Sequence, residues 1–421
     1  TGVQTCALPI CNANYAYKDT YMLQLSYRHD GSSKFGRNKR FGDFFTIGVG
    51  WNIQNEAFMK NVDFISQLKL RASYGSTGNT PGSAFSHMGL YRINLNYNTL
   101  PAAFPYQMAN RNMTWEKAYT TNVGVDTEFF NRIALSLEFY IKNTSGLLYA
   151  MPLSALSGYS TQWVNQGAMK NTGVEITLSP QIIKTKDWNW SVDFNLAYNK
   201  NKITELAGGK KQEVSGNTVR EVGYALGTYY MKEWAGVNPM DGTPLWIAVE
   251  EDGSKKLVGS EAKATLQRLD KKQLPDLTGG IQTNLSYKDF MLGATFTYAS
   301  GFYIYHSGRQ NYDNDGVEIQ YNSMKLKDGW SRWEKPGDIA THPQVKSGGN
   351  NLSNAVSSRY LERGDFFKMK SLSLSYKVPS KVLTPLGVKS ARLSLSCENL
   401  FTITEFSGVD PELGANGASV G

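Results

Sequence analysis

From Trp188 the chain alternates. Trp188, Trp190, Val192, Phe194, Leu196 and Tyr198 fall on one side, and Asn189, Ser191, Asp193, Asn195, Ala197 and Asn199 on the other. A period of two puts successive side chains on opposite faces of a strand. The segment is therefore a strand apolar on one face and polar on the other. It is long enough to cross a bilayer at a tilt, which takes about 9–11 residues. Ile133, Leu135, Leu137, Phe139 and Ile141 alternate in the same way with Ala134, Ser136, Glu138, Tyr140 and Lys142, and Phe45, Ile47, Val49, Trp51 and Ile53 with Thr46, Gly48, Gly50 and Asn52. Similar patterns cover approximately 21–28, 67–75, 121–130, 172–180, 281–288, 290–299, 367–378 and 389–398. Eleven strands are predicted, and no amphipathic helix of any length.

The connections between them, 29–43, 54–66, 76–120, 131, 143–171, 181–187, 200–280, 289, 300–366 and 379–388, alternate long and short. A soluble sandwich has no reason to sort loop lengths by parity. A bacterial outer-membrane barrel does, because its periplasmic turns are short and its extracellular loops long. Tyr27, Trp51, Tyr74, Phe129, Phe130, Tyr198, Tyr287, Phe290 and Tyr298 stand near strand ends, where interfacial girdles place aromatics. The expected fold is thus all-β: an antiparallel transmembrane barrel in the cell outer membrane, its apolar face against lipid and long loops outside. By the same parity the eleventh strand runs outward. Closed single-chain barrels have an even strand number, so a last strand is expected beyond Gly421. At the other end Thr1–Cys11 shows no strand pattern and none of the basic start and apolar core of a signal peptide. Residues 1–14 are set aside as a foreign leader, leaving 15–421 as the C-terminal part of a barrel truncated before its last strand.

Composition sharpens this picture. Charged residues are 19% of the chain, against about 25% in an average soluble protein, and aromatics reach 12%. No stretch approaches the roughly 18 apolar residues of a membrane helix. Three cysteines, Cys6, Cys11 and Cys397, cannot build a disulfide framework, and Cys6 and Cys11 have no partner pair for zinc. The net charge of +8 is dispersed. Its one cluster, Lys34, Arg37, Lys39 and Arg40, is interleaved with Gly and Asn and reads as a solvated loop rather than a nucleic-acid surface.

Candidate chemistry is sparse. Gly417-Ala418-Ser419-Val420-Gly421 fits G-x-S-x-G but lacks the strand and helix of a nucleophile elbow. The four histidines, His29, His87, His306 and His342, fall in predicted loops, His29 within turn chemistry. With no phosphate loop, dinucleotide fingerprint or catalytic dyad in 200–280 or 300–366, the chain reads as a non-enzyme. Asn311-Tyr312-Asp313-Asn314-Asp315-Gly316 resembles the start of a Ca²⁺ loop, with Asp313 and Asp315 as candidate ligands. The first position is Asn and the twelfth is Asn322 rather than Glu, so an Asx-rich turn is the plainer reading.

Several stretches, in order, resemble the SusC/RagA class of TonB-dependent outer-membrane transporters: Tyr27-Arg28-His29-Asp30-Gly31-Ser32-Ser33-Lys34-Phe35-Gly36, Leu68 to Gly75 with Thr77-Gly78-Asn79, Trp115-Glu116-Lys117 with Asn122-Val123-Gly124-Val125-Asp126, and Asn171-Thr172-Gly173-Val174-Glu175. Trp330 to Asp338, Phe366 to Tyr376 and Glu398-Asn399-Leu400-Phe401-Thr402 continue the series. Phe45 departs from the Pro usual there. The resemblance implies uptake of oligomeric nutrients, glycan ahead of peptide, with a SusD-like surface lipoprotein over the mouth. The TonB–ExbB–ExbD complex would supply energy through a plug and TonB box upstream. A binding or adhesion barrel without transport is the alternative.

Cargo recognition is expected in the long loops. Trp163, Trp234, Trp246, Trp330 and Trp333 lie outside the strand registers, and an indole face stacks on a sugar ring while leaving its N–H for a hydroxyl. Trp330-Ser331-Arg332-Trp333-Glu334 is the leading segment, since Arg332 and Glu334 set polar groups beside two aromatic platforms. The plainer alternative is that these indoles pack the loops against one another or against the lipoprotein cap.

Overall fold

A computed structural model describes residues 5–320 and 325–414. Its frame is one antiparallel sheet of twelve strands in strict chain order. The strands are Thr5–Tyr17, Tyr21–Ser32, Phe41–Asn52, Ile65–Asn79, Glu116–Phe129, Ile133–Ser145, Ala168–Lys184, Trp188–Glu205, Leu277–Tyr287, Phe290–Ser300, Phe366–Lys377 and Arg392–Thr404. All eleven predicted strands are present. A twelfth is added: Thr5–Tyr17, which overlaps the segment set aside as a leader and showed no strand pattern, pairs with the next strand from Thr5↔Ser32 to Tyr17↔Tyr21. Backbone ladder bonds form there across a register shift between Ala7 and Ile10, without an alternating pattern to announce them.

Residues opposite one another on paired strands share a face, so the register shows which way each row points. Val123, Phe139, Val174, Tyr198 and Leu277 form one row across five strands. Leu135, Leu178, Phe194, Ile281, Phe296 and Met369 form another. Asp193 lies opposite Gln282 on the other face. That polar face carries its own charge pairing: Arg71 Nε donates to Asp126 Oδ2 at 3.0 Å, a second Arg71 nitrogen pairs with Glu138, and Ser136 Oγ donates to Asp126 Oδ1 at 2.7 Å. A one-residue slip would turn these carboxylates to the apolar side, which is why register is so strongly specified. The apolar rows face lipid and the polar face lines the lumen.

Short turns gather at one end, at 18–20, 130–132, 185–187 and 288–289. Aromatics cluster beside them, with Trp188 on Tyr287 at 4.2 Å and Phe290 on Tyr376 at 4.5 Å between ring centroids. The extended connections 80–115, 146–167, 206–276 and 301–365 gather at the other. The alternation relaxes in one place: 33–40 is shorter than 53–64, because the strands flanking it grow past their alternating stretches to Ser32 and Phe41. His29 is consequently in a strand and not in a turn, bonded through Nδ1 to Asp43 Oδ1 at 2.7 Å.

Candidate functional site

The loops at the long-connection end are folded. Residues 206–276 build a four-stranded sheet from Gln212–Ser215, Thr218–Glu221, Thr228–Lys232 and Leu266–Lys272, and a three-stranded sheet from Trp234–Val237, Pro244–Val249 and Lys255–Val258. Residues 301–365 contribute a two-stranded ribbon, Tyr303–Tyr305 with Leu361–Arg363, and a short helix, Ser307–Tyr312. His306 caps that helix, its Nδ1 accepting from the Arg309 amide at 3.1 Å.

These two loops lock together. Tyr229, Met231, Leu269 and Leu361 form a buried cluster with Tyr303 and Tyr305 packed on it. Tyr229 Oη donates to Tyr303 O at 3.0 Å and accepts from the Tyr305 amide at 3.1 Å. Burial first of all pushes the Tyr229 phenol up to about 12, so it remains a donor at any physiological pH. Further along, Trp333 Nε1 donates to Pro239 O at 2.9 Å and the Trp234 amide to Ser358 Oγ at 2.8 Å.

A buried ion cluster lies at the centre of the 301–365 loop. Arg359 bonds Asp313 Oδ1 at 3.0 Å and pairs with Asp315; its side chain is 2% exposed. Arg332 reaches Asp315 Oδ1 at 2.7 Å, and Arg309 reaches Asp313 Oδ2 at 3.2 Å and Glu362 Oε1 at 2.9 Å. His342 Nε2 meets Asp313 Oδ2 at 3.0 Å, and Ser353 Oγ donates to Asp315 Oδ2 at 2.6 Å. Three guanidiniums face three carboxylates, so the charges balance as buried charges must. Burial alone would raise the Asp313 carboxyl. The hydrogen bond from His342 and the charges of Arg359 and Arg309 overcome it and hold the group at about 2.

This cluster bears on several of the sequence expectations. The run Asn311–Gly316 is helix end and turn, and its two carboxylates are engaged by cations, so a Ca²⁺ ion there would have to displace guanidiniums rather than water. The twelfth position of that motif, Asn322, and the Gly417–Gly421 run both lie outside the described residues. Trp330, Arg332, Trp333 and Trp234 do converge, but around the ion cluster. The Trp330 ring stands 4.4 Å from the Arg309 guanidinium and 5.0 Å from His342, and Arg359 lies over Trp234 at 5.0 Å. Of the two expected aromatic platforms, Trp333 is 7% exposed, with its ring against Gly242, and the further candidate Trp246 is fully buried, in line with the alternative that these indoles pack the loops. Trp330 is half-buried, while Glu334 is exposed. Trp163 lies apart, packed on Phe35, Phe44, Met113 and Trp115 beneath another loop. Arg309, His342 and Arg359 were missed because nothing in the linear sequence joins them. The one available signal was the i,i+4 spacing of Arg309 and Asp313.

Between the two loops and the barrel rim is a cleft of about 360 Å³. Its walls include Tyr224, Arg268, Lys271, Asp276, Tyr303 and Arg363. Arg268 stacks on Tyr224 at 3.4 Å and pairs with Glu221 at 3.0 Å, and Lys271 sits over Tyr303 at 4.9 Å with no carboxylate partner among the described residues. The cleft presents charged and hydrogen-bonding side chains. Among the described residues no group of His, Cys, Asp and Glu could hold a metal ion.

The family model of the TonB dependent receptor-like β-barrel matches residues 12–400. The chain belongs to that family of outer-membrane barrels. It is 30% identical over 96% of its length to TonB-dependent receptor P39 of Formosa agariphila, and 27% identical over 95% to TonB-dependent receptor SusC of Bacteroides thetaiotaomicron. Among solved structures it is similar to the RagAB peptide transporter, with a TM-score of 0.86 and 30% identity over 97% of the chain. It spans 43% and 40% of those two receptors and 45% of the RagAB chain, so it corresponds to less than half of each. These relatives are receptors and transporters, not enzymes.

Proposed function

We propose that the chain is wall and mouth of an outer-membrane importer of oligomeric nutrients. It would work with a SusD-like surface lipoprotein and be energised by TonB–ExbB–ExbD through a plug and TonB box elsewhere in the full-length receptor. The observation that carries this reading is the joint arrangement of a lipid-facing, lumen-lined sheet with folded loops over one end. For cargo, peptide now leads. The expectation of glycan came from the family resemblance, and two of the indoles expected to stack on a sugar, Trp333 and Trp246, are buried. The mouth cleft is instead lined by charged side chains, which suit a chain of amides and ionised groups. The similarity to a peptide transporter supports the same choice.

Deleting the full-length gene and supplying defined peptides or defined oligosaccharides as sole nutrient tests this. Loss of growth on peptides, restored by the wild-type gene and dependent on TonB, is expected. Loss on oligosaccharides alone would reassign the cargo to glycan, and cargo binding without TonB-dependent uptake would establish the adhesion barrel.

A further inference from the structure

A second, smaller cavity opens at the same end of the sheet, in the angle between the 146–167 and 206–276 loops. It measures about 230 Å³. It is smaller than the cleft of about 360 Å³ and suits one residue of a cargo rather than an oligomer. Its floor is aliphatic: Met169, Ile203, Leu206 and Leu226, with Leu147 and Leu148 at the side. Met169 and Ile203 are paired in register, on the face opposite Val174 and Tyr198, so the floor belongs to the lumen side.

The opening is charged and unbalanced. Glu116, Glu205 and Glu213 border it, with Arg220 as the lone cation among the lining residues. Glu116 is occupied by Asn79 Nδ2 at 3.0 Å and the Leu148 amide at 3.2 Å. Glu213 accepts from the Tyr149 hydroxyl and lies 3.5 Å from Arg220 and 3.8 Å from Lys210. Burial, then the Glu213 bond, pushes the Tyr149 phenol up to about 12, which keeps that proton on tyrosine and Glu213 an acceptor. Glu205 is exposed and has no ionic partner among the described residues.

We infer that this cavity is a cargo subsite for one long aliphatic side chain ending in a cation, lysine or arginine, with the stem on Met169, Ile203, Leu206 and Leu226 and the charge at Glu205 and Glu213. The inference rests on the peptide-import reading. A sugar ring is a poorer occupant, because only the rim offers partners for its hydroxyls and those over the aliphatic floor would be left unsatisfied. A bare alkyl side chain would fill the floor but leave Glu205 without a counter-charge.

The test uses the full-length receptor purified from outer membranes and three blocked alanine hexapeptides. These carry a central lysine, norleucine or glutamate, and an all-alanine peptide is the reference. The lysine peptide is expected to bind roughly five-fold more tightly than the norleucine peptide, the scale of a half-exposed charge pair, with glutamate weakest. Glu205→Gln should reduce the lysine preference to about two-fold or less, and Leu226→Trp should abolish the advantage of lysine and norleucine over alanine. Protease resistance of the loops checks that both variants fold. Equal binding of all four peptides would overturn the subsite while leaving peptide import standing. Binding of an oligosaccharide by the same preparation, with no peptide bound, would overturn both the subsite and the choice of peptide.

Discussion

Replacing Arg359 with methionine removes the charge that joins Asp313 to Asp315 while keeping most of the apolar stem. Arg359 is 2% exposed and bonds both carboxylates, so the variant leaves Asp313, Asp315 and Glu362 facing Arg309 and Arg332 alone. One buried negative charge is then uncompensated. Breaking a buried pair from one side costs about 3–5 kcal/mol. The lower figure applies here, because Asp313 retains Arg309 and His342, and Asp315 retains Arg332 and Ser353. Asp315→Asn in the same background restores neutrality and should recover about 1–2 kcal/mol, a coupling expected of groups in contact. Hydrogen exchange of Ser357–Tyr360 and limited proteolysis of the full-length receptor in outer membranes would read the effect. Faster exchange and new cleavage within 301–365, with the barrel's heat resistance unchanged, are expected. Unchanged protection of the loop in Arg359→Met would refute the cluster as its organising element.

The Asp313 carboxyl is held at about 2, below its ordinary 3.8. A depressed carboxylate contributes stability that is full above the unfolded value and lost as pH falls through the folded one, here between about 4 and 2; about 2 kcal/mol is at stake. Loop exchange should therefore accelerate on acidification across that window, and a flat profile would contradict it. Trp333→Ala should destabilise the loop by about 3–5 kcal/mol, as for buried aromatics, and raise protease sensitivity. Trp330→Ala should cost about 1 kcal/mol or less and leave surface abundance normal. On the barrel wall, Phe194→Arg should cost about 2–4 kcal/mol by placing a charge in lipid, whereas Asn195→Arg, facing the lumen, should leave folding yield near wild type.

The barrel was legible because lipid on one side and water on the other impose a two-residue period on each strand. Trp188–Glu205 and Ile133–Ser145 carry that period over their central residues. Thr5–Tyr17 was not legible: its ladder is built of backbone groups, and Thr5 to Ile10 carries no alternation. The loop strands, such as Tyr303–Tyr305 and Lys255–Val258, are too short for any period to show. The ion cluster draws on Arg309, Asp313, Asp315, Arg332, His342, Arg359 and Glu362, whose proximity arises only once the chain has folded back on itself. That is why Asp313 and Asp315 looked like metal ligands, and why Trp333 looked like an open platform.

The central claim is that residues 188–198 cross the outer membrane with even-numbered side chains in lipid and odd-numbered ones in the lumen. Spin labels on single cysteines at successive positions from 190 to 197, in a full-length receptor with its native cysteines replaced by serine, test it most directly. Oxygen accessibility should peak at 190, 192, 194 and 196, and accessibility to a water-soluble nickel chelate at 191, 193, 195 and 197. Accessibilities that vary together without alternation, or that alternate in the opposite phase, would contradict the claim.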